Sequence, residues 1–212
     1  PNGVGEVYDY YVQSMDSIFI LSTYKVSLID SSGNVLKKYA LNKDAKGDED
    51  GLDFISSKGS IGEHRMHLNE ESGTLYLGLR KSIAREKKDF YESSIVTEFL
   101  WQDGTRKNLD LFYSEPYKED DNYYAYLSYP NMRYYQNKLL VTFPIEPNIY
   151  VYDINTNQTK KYGGRSRFIK EEVATPLSRE NIDANVHMAH LSSNALYLDV
   201  IPDPYRDVYY RF

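Results

Sequence analysis

The chain places its four histidines in two copies of one spacing, His64-Arg65-Met66-His67 and His187-Met188-Ala189-His190. H-x-x-H is a familiar metal-ligand spacing where a helix brings both imidazoles to one face. Both copies fall where the innermost strand of a repeat is expected, and a strand turns residues three apart to opposite faces. A single copy therefore cannot chelate, although His64 and His187 from different repeats could converge across a central channel or line it as polar residues. The acidic stretches Asp44 to Gly51 and Lys118 to Asn122 carry hard oxygen ligands. Neither matches the spacing of an EF-hand loop, and solvated loops are the plainer reading. No metal and no cofactor is expected.

Cations gather in the connecting segments, at Arg80-Lys81, Arg85, Lys87-Lys88, Arg165 and Arg167. Facing one end, they could hold an anionic ligand such as an acidic sugar. Tyrosine is the other unusual supply: 22 Tyr against 8 Phe and 1 Trp, clustered at Tyr8 to Tyr11, Tyr123 to Tyr126, Tyr134-Tyr135 and Tyr209-Tyr210. A tyrosine ring stacks on a sugar or clasps a peptide, and equally packs between sheets with its hydroxyl bonded at the rim. Together these give a candidate ligand-binding set of Tyr10, His64, Arg80, Tyr124, Arg165, Arg167 and His187. No catalytic residue is assigned, because there is no Gly-x-Ser-x-Gly, no phosphate-cradling glycine loop and no His-Glu-x-x-His. Paired carboxylates for glycan cleavage need proximity in space rather than in sequence, so that chemistry stays open.

The elements that must position these residues repeat. Ser17 to Leu21, Thr74 to Leu79, Lys138 to Phe143 and Ala195 to Val200 are strand-like and each follows a short polar turn; aligning Ile18, Leu75, Leu139 and Leu196 gives spacings of 57, 64 and 57 residues. Apolar runs then meet Gly, Asn and Asp at hairpin positions, as in Leu28-Ile29-Asp30 before Gly33-Asn34. The outer strands carry Lys or Arg, which discourages edge pairing. Strand-filled repeats of this length read as an all-β fold of four-stranded antiparallel β-propeller blades, about three and a half of them. The blades fall at roughly 5–41, 61–113, 123–163 and 185–212, in a single partial propeller domain. Asp207 to Phe212 reads as the third strand of a fourth blade, with no fourth strand after it. At about 57 residues per blade a six-bladed ring needs roughly 340. The expectation is a fragment or truncated form whose open edges are covered by missing blades or another chain; an open solenoid-like array is the alternative.

Composition sets limits on partners. The 212 residues are 41% hydrophobic and 26% charged, with no Cys and a net charge of −6, enough for a real core and a poor match to a phosphate backbone. Nucleic acid is not an expected partner. The start, Pro1-Asn2-Gly3-Val4-Gly5, lacks signal-peptide features, though a processed start is compatible with it. The long segments, 42–60, 82–94, 115–122 and 163–184, all join strands at the same end of the blades, and short helices are expected in Ser82 to Asp89 and Thr175 to Ile182. A face built of long loops on a rigid scaffold is where binding is expected.

The opening Pro1 to Gly5 leading into Met15-Asp16-Ser17-Ile18-Phe19, the Leu28-Ile29-Asp30 hairpin with Lys37-Lys38-Tyr39, and the closing Tyr205-Arg206-Asp207-Val208-Tyr209-Tyr210-Arg211-Phe212 resemble an uncharacterised family of six-bladed, TolB-like propeller lipoproteins from Bacteroides-type bacteria. The resemblance implies a cell-envelope location, periplasmic or surface-exposed, a lipid anchor at a missing N-terminus as the link to a membrane, and further blades after Phe212. It carries no activity. The expected function is a non-catalytic envelope module that recognises a glycan or protein on its long-loop face. The alternatives are a glycan-active hydrolase or lyase with its site at the channel mouth, and a purely structural interaction module.

Overall fold

The structure, a computed structural model, describes residues 4–22, 25–41, 53–55, 66–81, 83–119, 122–165, 174–180 and 183–211. The chain divides into two compact units, one built from its first half up to residue 109 and one that takes Ile83–Ser93 and Asp110 onwards.

In the first unit, β1 (Val7–Ser14), β2 (Ser17–Ser22), β3 (Lys25–Ile29) and β4 (Val35–Ala40) form an antiparallel meander in sequence order. A second sheet contains β5 (Asp53–Ile55), β6 (Met66–Asn69), β7 (Thr74–Lys81), β8 (Val96–Leu100) and β9 (Thr105–Asn108). The long β7 is shared: β6 pairs with its first half and β5 with its end, Ile55 opposite Leu79. Phe19, Leu21 and Val26 from the first sheet and Leu75, Leu77 and Phe99 from the second bury their side chains in one core. Edge-to-face contacts of Phe19 with Trp101 and of Tyr39 with Phe99, both 5.3 Å between centroids, join the two layers. Arg106 reaches from β9 to the carbonyl of Leu41 at 2.7 Å.

The second unit repeats the meander with β10 (Asn131–Tyr135), β11 (Lys138–Thr142), β12 (Asn148–Asp153) and β13 (Gln158–Gly163), followed by the hairpin of β14 (Val200–Asp203) and β15 (Val208–Arg211). The two-residue β10–β11 turn holds Gln136 and Asn137 at φ 48° and 58°, the left-handed pair that a tight hairpin requires. Leu140, Ile149, Val151 and Val200 close this core, with Tyr135 and Tyr209 packed against it. Two short helices, α1 (Glu115–Lys118) and α2 (Ala184–Ser193), and 3-10 turns at Lys88–Glu92 and Ala125–Ser128 complete the unit.

One device sets every outer hairpin. Asp30 accepts from the amides of Ser32 and Asn34, Asp103 from Thr105, Asp153 from Asn155 and Thr156, and Asp203 from Tyr205 and Arg206, all within 3.2 Å. An aspartate there mimics a backbone turn with its own carboxylate, and Gly33 and Gly104 supply positive φ beside two of them. The all-β reading and its four-stranded antiparallel sheets therefore hold.

The fourth repeat differs from the sequence reading. Residues 185–190, expected as an innermost strand, lie in α2, and Ala195 to Asp199 are not strand; β14 begins only at Val200. Asp183 explains the helix, since its carboxylate accepts from the amides of Asn185 and Val186 and caps the first turn. The short helices expected in 82–89 and 175–182 are likewise displaced, to the 3-10 turn at Lys88–Glu92 and to α2.

Candidate functional site

Two long connecting segments of the second unit and the turn between β11 and β12 enclose a cleft of about 920 Å³. That volume lies near the upper end of what small-ligand sites occupy, roughly 300–1,000 Å³. One wall comes from α1 and the residues after it. Pro116 lies in the first turn of the helix, where a residue without an amide hydrogen costs nothing. Beyond it Asn122 is held by its own side chain, which donates to the Pro116 carbonyl at 3.1 Å, to a Glu119 carboxylate oxygen at 2.9 Å and to the Tyr124 hydroxyl at 3.3 Å. Glu119, Asn122 and Tyr124 therefore present a connected polar edge to the cleft.

The floor is aromatic and nearly closed to water. Tyr124 packs edge-to-face on Tyr117 at 5.3 Å, and Tyr117 touches Tyr91, Tyr113 and Phe143 at 5.4–5.6 Å. Tyr117 is fully buried and its hydroxyl donates to the Leu127 carbonyl at 2.6 Å. Burial, with the nearby tyrosines and Glu146, holds its phenol well above the ordinary value of 10.0. Below the β11–β12 turn, Tyr150 donates to both oxygens of the buried Glu146 carboxylate at 3.0 and 3.1 Å, and burial followed by that negative charge keeps Tyr150 protonated as well. Glu146 points inward between Ile145 and Pro147, which themselves line the cleft.

The opposite wall is Arg165, Ala174, Thr175, Pro176 and the buried Tyr197. Arg211 fixes Tyr197 from behind, with its guanidinium 4.3 Å from the ring centre. Its amino groups donate to the carbonyls of Asn148 (3.0 Å), Phe143 (3.2 Å) and Glu146 (2.9 Å), so β15 is pinned to the cleft turn. Burial lowers Arg211 to about 10, against the partial opposition of Tyr197 and Glu146, and it remains a cation at neutral pH.

Of the residues singled out from sequence, Tyr124 and Arg165 meet in this cleft. His187 is buried on α2, its Nε2 3.1 Å from the Tyr123 hydroxyl and its ring edge-on to Tyr126. His190 lies one turn on and its Nε2 donates to the Thr175 carbonyl at 2.7 Å. The strand argument against chelation thus fails, because the helix puts both imidazoles on one buried face. Each is nonetheless engaged in packing, and no group of three His, Asp or Glu is arranged for a metal among the described residues. Tyr10 is exposed on β1 and Arg80 lies in β7, both in the first unit. His64 and Arg167 lie outside the described residues. Sequence reasoning missed Pro116, Pro147 and Tyr197. It flagged Glu119 and Asn122 only as an acidic loop, since nothing in linear spacing joins residue 119 to residue 197. Glu119 is the one carboxylate lining the cleft among the described residues.

The model of DUF4221, a domain of unknown function, matches residues 1–212. No curated protein matches the chain. A solved crystal structure of a DUF4221 member from Bacteroides vulgatus superposes with a TM-score of 0.76 at 21% identity, over 100% of this chain and 57% of that one. The likeness is one of fold, and this chain spans little more than half the length of that neighbour.

Proposed function

The chain belongs to the DUF4221 family, and from that premise we propose that it is a non-catalytic binding module of the cell envelope that recognises a glycan or protein ligand, the glycan first, in the cleft between α1 and the residues Arg165, Ala174, Thr175 and Pro176. The observation that carries this reading is the meeting of Tyr124 and Arg165, with Glu119 and Asn122, around one cleft of about 920 Å³. Aromatic rings, prolines and a few planar polar groups are what a sugar asks for: apolar faces for its C–H surfaces, and fork-shaped donors and acceptors for its hydroxyls. Two of the long segments converge here, in keeping with binding residues borne on loops over a rigid scaffold.

Cleavage of a glycan by an acid and base pair uses two carboxylates about 5–10 Å apart. The described lining supplies Glu119 alone, which supports binding over turnover. The envelope location and a lipid anchor at a missing N-terminus belong to the same proposal.

The test is a thermal-shift screen of the purified chain against soluble glycans and short peptides, because a ligand that binds only the folded state raises the melting temperature. A shift that is lost in Arg165→Ala and Asn122→Ala supports the cleft. A shift that survives both variants moves the site elsewhere, and no shift with any ligand overturns the reading.

A further inference from the structure

A second cleft, of about 590 Å³, adjoins the first and shares Arg165 and Tyr197 with it. It runs between the end of β13 and β15, lined by Ile149, Tyr162, Gly164, Tyr209 and Arg211 besides the shared pair. The two are tied together at one close approach. The amide of Gly164, in the second cleft, donates to the carbonyl of Pro147, in the first, at 2.9 Å. A Cβ on Gly164 would come within 2.8 Å of that same oxygen, so only glycine lets the wall close there. Arg165 follows directly and stands between the two spaces.

The second cleft differs from the rest of the chain in charge. The molecule has 31 Asp and Glu against 25 Lys and Arg, yet this lining holds two arginines and no carboxylate among the described residues. Arg211 spends its amino groups on three backbone carbonyls and contributes a fixed, partly desolvated positive charge. Arg165 is exposed where the two clefts adjoin, and a guanidinium is the side chain best matched to a carboxylate. Tyr162, 48% exposed, offers a ring beside them.

We infer that the ligand is an acidic oligosaccharide that lies along both clefts, its carboxylate or sulfate groups at Arg165 and near Arg211 and its sugar faces on Tyr162 and the tyrosines of the first cleft. This rests on the binding role proposed above and specifies its ligand. A polymer is favoured over a monosaccharide because one sugar cannot occupy both of two adjoining spaces that meet at Arg165 and Tyr197. A saccharide is favoured over an acidic peptide because the wall between the clefts offers rings and guanidinium groups, while the Gly164 amide is already taken by Pro147.

Calorimetric titration of the full chain with length-matched probes tests this: oligogalacturonate and heparin-derived hexasaccharides, a neutral cello-hexaose, a galacturonate dimer and a hexaglutamate peptide. The expected result is that an acidic hexasaccharide binds at least about tenfold more tightly than the neutral hexamer and the dimer, the difference that about 1.4 kcal/mol makes. Added salt should weaken it, since exposed charges are screened. Arg165→Gln and Tyr162→Ala, both surface changes, should each weaken it severalfold with the melting temperature unchanged. Equal binding of acidic and neutral hexamers overturns the inference and leaves the cleft's binding role standing. Preference for hexaglutamate overturns it in favour of a peptide, and binding of no saccharide or peptide overturns the role as well.

Discussion

The guanidinium of Arg211 lies 4.3 Å from the ring centre of Tyr197 while its hydrogens go to three carbonyls of residues 143–148. One side chain from the last described strand thereby holds both a wall residue of the cleft and the turn that forms its edge. Removing it takes a donor from three partly buried carbonyls, a loss of about 1–3 kcal/mol for a group left unsatisfied. Arg211→Met is therefore expected to lower stability by about 2–4 kcal/mol in urea denaturation and to weaken ligand binding at the first cleft. Arg211→Lys should recover only part of either, because an ammonium group cannot serve three divergent carbonyls and cover the ring. A variant with unchanged stability would show the pin to be dispensable.

The aromatic floor makes a graded prediction. Tyr117→Phe removes only the hydroxyl that donates to the Leu127 carbonyl and should cost about 1–2 kcal/mol. Tyr117→Ala also opens a cavity beneath Tyr124 and should cost about 3–5 kcal/mol. Chemical denaturation of the two variants reads the difference. Equal losses would mean that ring packing contributes little there.

Buried tyrosines couple stability to alkaline pH. Tyr91 is pushed up to about 12, chiefly by burial and partly offset by its bond to Ser128 and by Arg179 and Arg85; burial also raises Tyr117, Tyr123 and Tyr150. A phenol with a raised folded pKa adds stability that is fully present below the unfolded value of 10.0 and is lost as pH rises through the folded one. The urea midpoint should hold steady up to about pH 9.5 and fall steeply above pH 10. Ultraviolet titration of the 22 tyrosines should show a late-ionising group that includes Tyr91, Tyr117 and Tyr150. Ionisation of all 22 near pH 10 with the fold intact would refute this.

The hairpin aspartates act at the other end of the scale. Asp30 is held below 3.8 mainly by the side chain of Asn34, Asp103 by the amide of Thr105 and Asp153 by the amide of Thr156. Depressed carboxyls add stability above the unfolded value that disappears as pH falls through the folded one. All three make their turn bonds at the surface, so each effect is small. The triple variant Asp30→Asn, Asp103→Asn, Asp153→Asn should flatten the loss of stability below about pH 4. An unaltered acid profile would count against it.

These same aspartates explain why most of the fold was legible. Short apolar runs ending at Asp30 before Gly33-Asn34, at Asp103-Gly104 and at Asp153 before Asn157 carry local instructions for a hairpin, and the outer strand pairs follow from them. Helix α2 was not legible because its buried face consists of His187 and His190 rather than aliphatic residues, which leaves no apolar period to read. Its start depends on one capping carboxylate, Asp183. The cleft was half legible. Tyr124 stood out as part of a tyrosine cluster, and Arg165 as a cation in a long loop. Tyr197 looked like the middle of a strand, and the backbone bond between Gly164 and Pro147 has no signature in spacing.

Hydrogen exchange on the full chain, alone and saturated with the tightest glycan from the thermal screen, tests the binding site most directly. The cleft account predicts slowed exchange in 116–119, 122–124, 145–149, 162–165 and 174–176, with β1 to β9 unchanged. Protection confined to the first unit, or none at saturation, would contradict it.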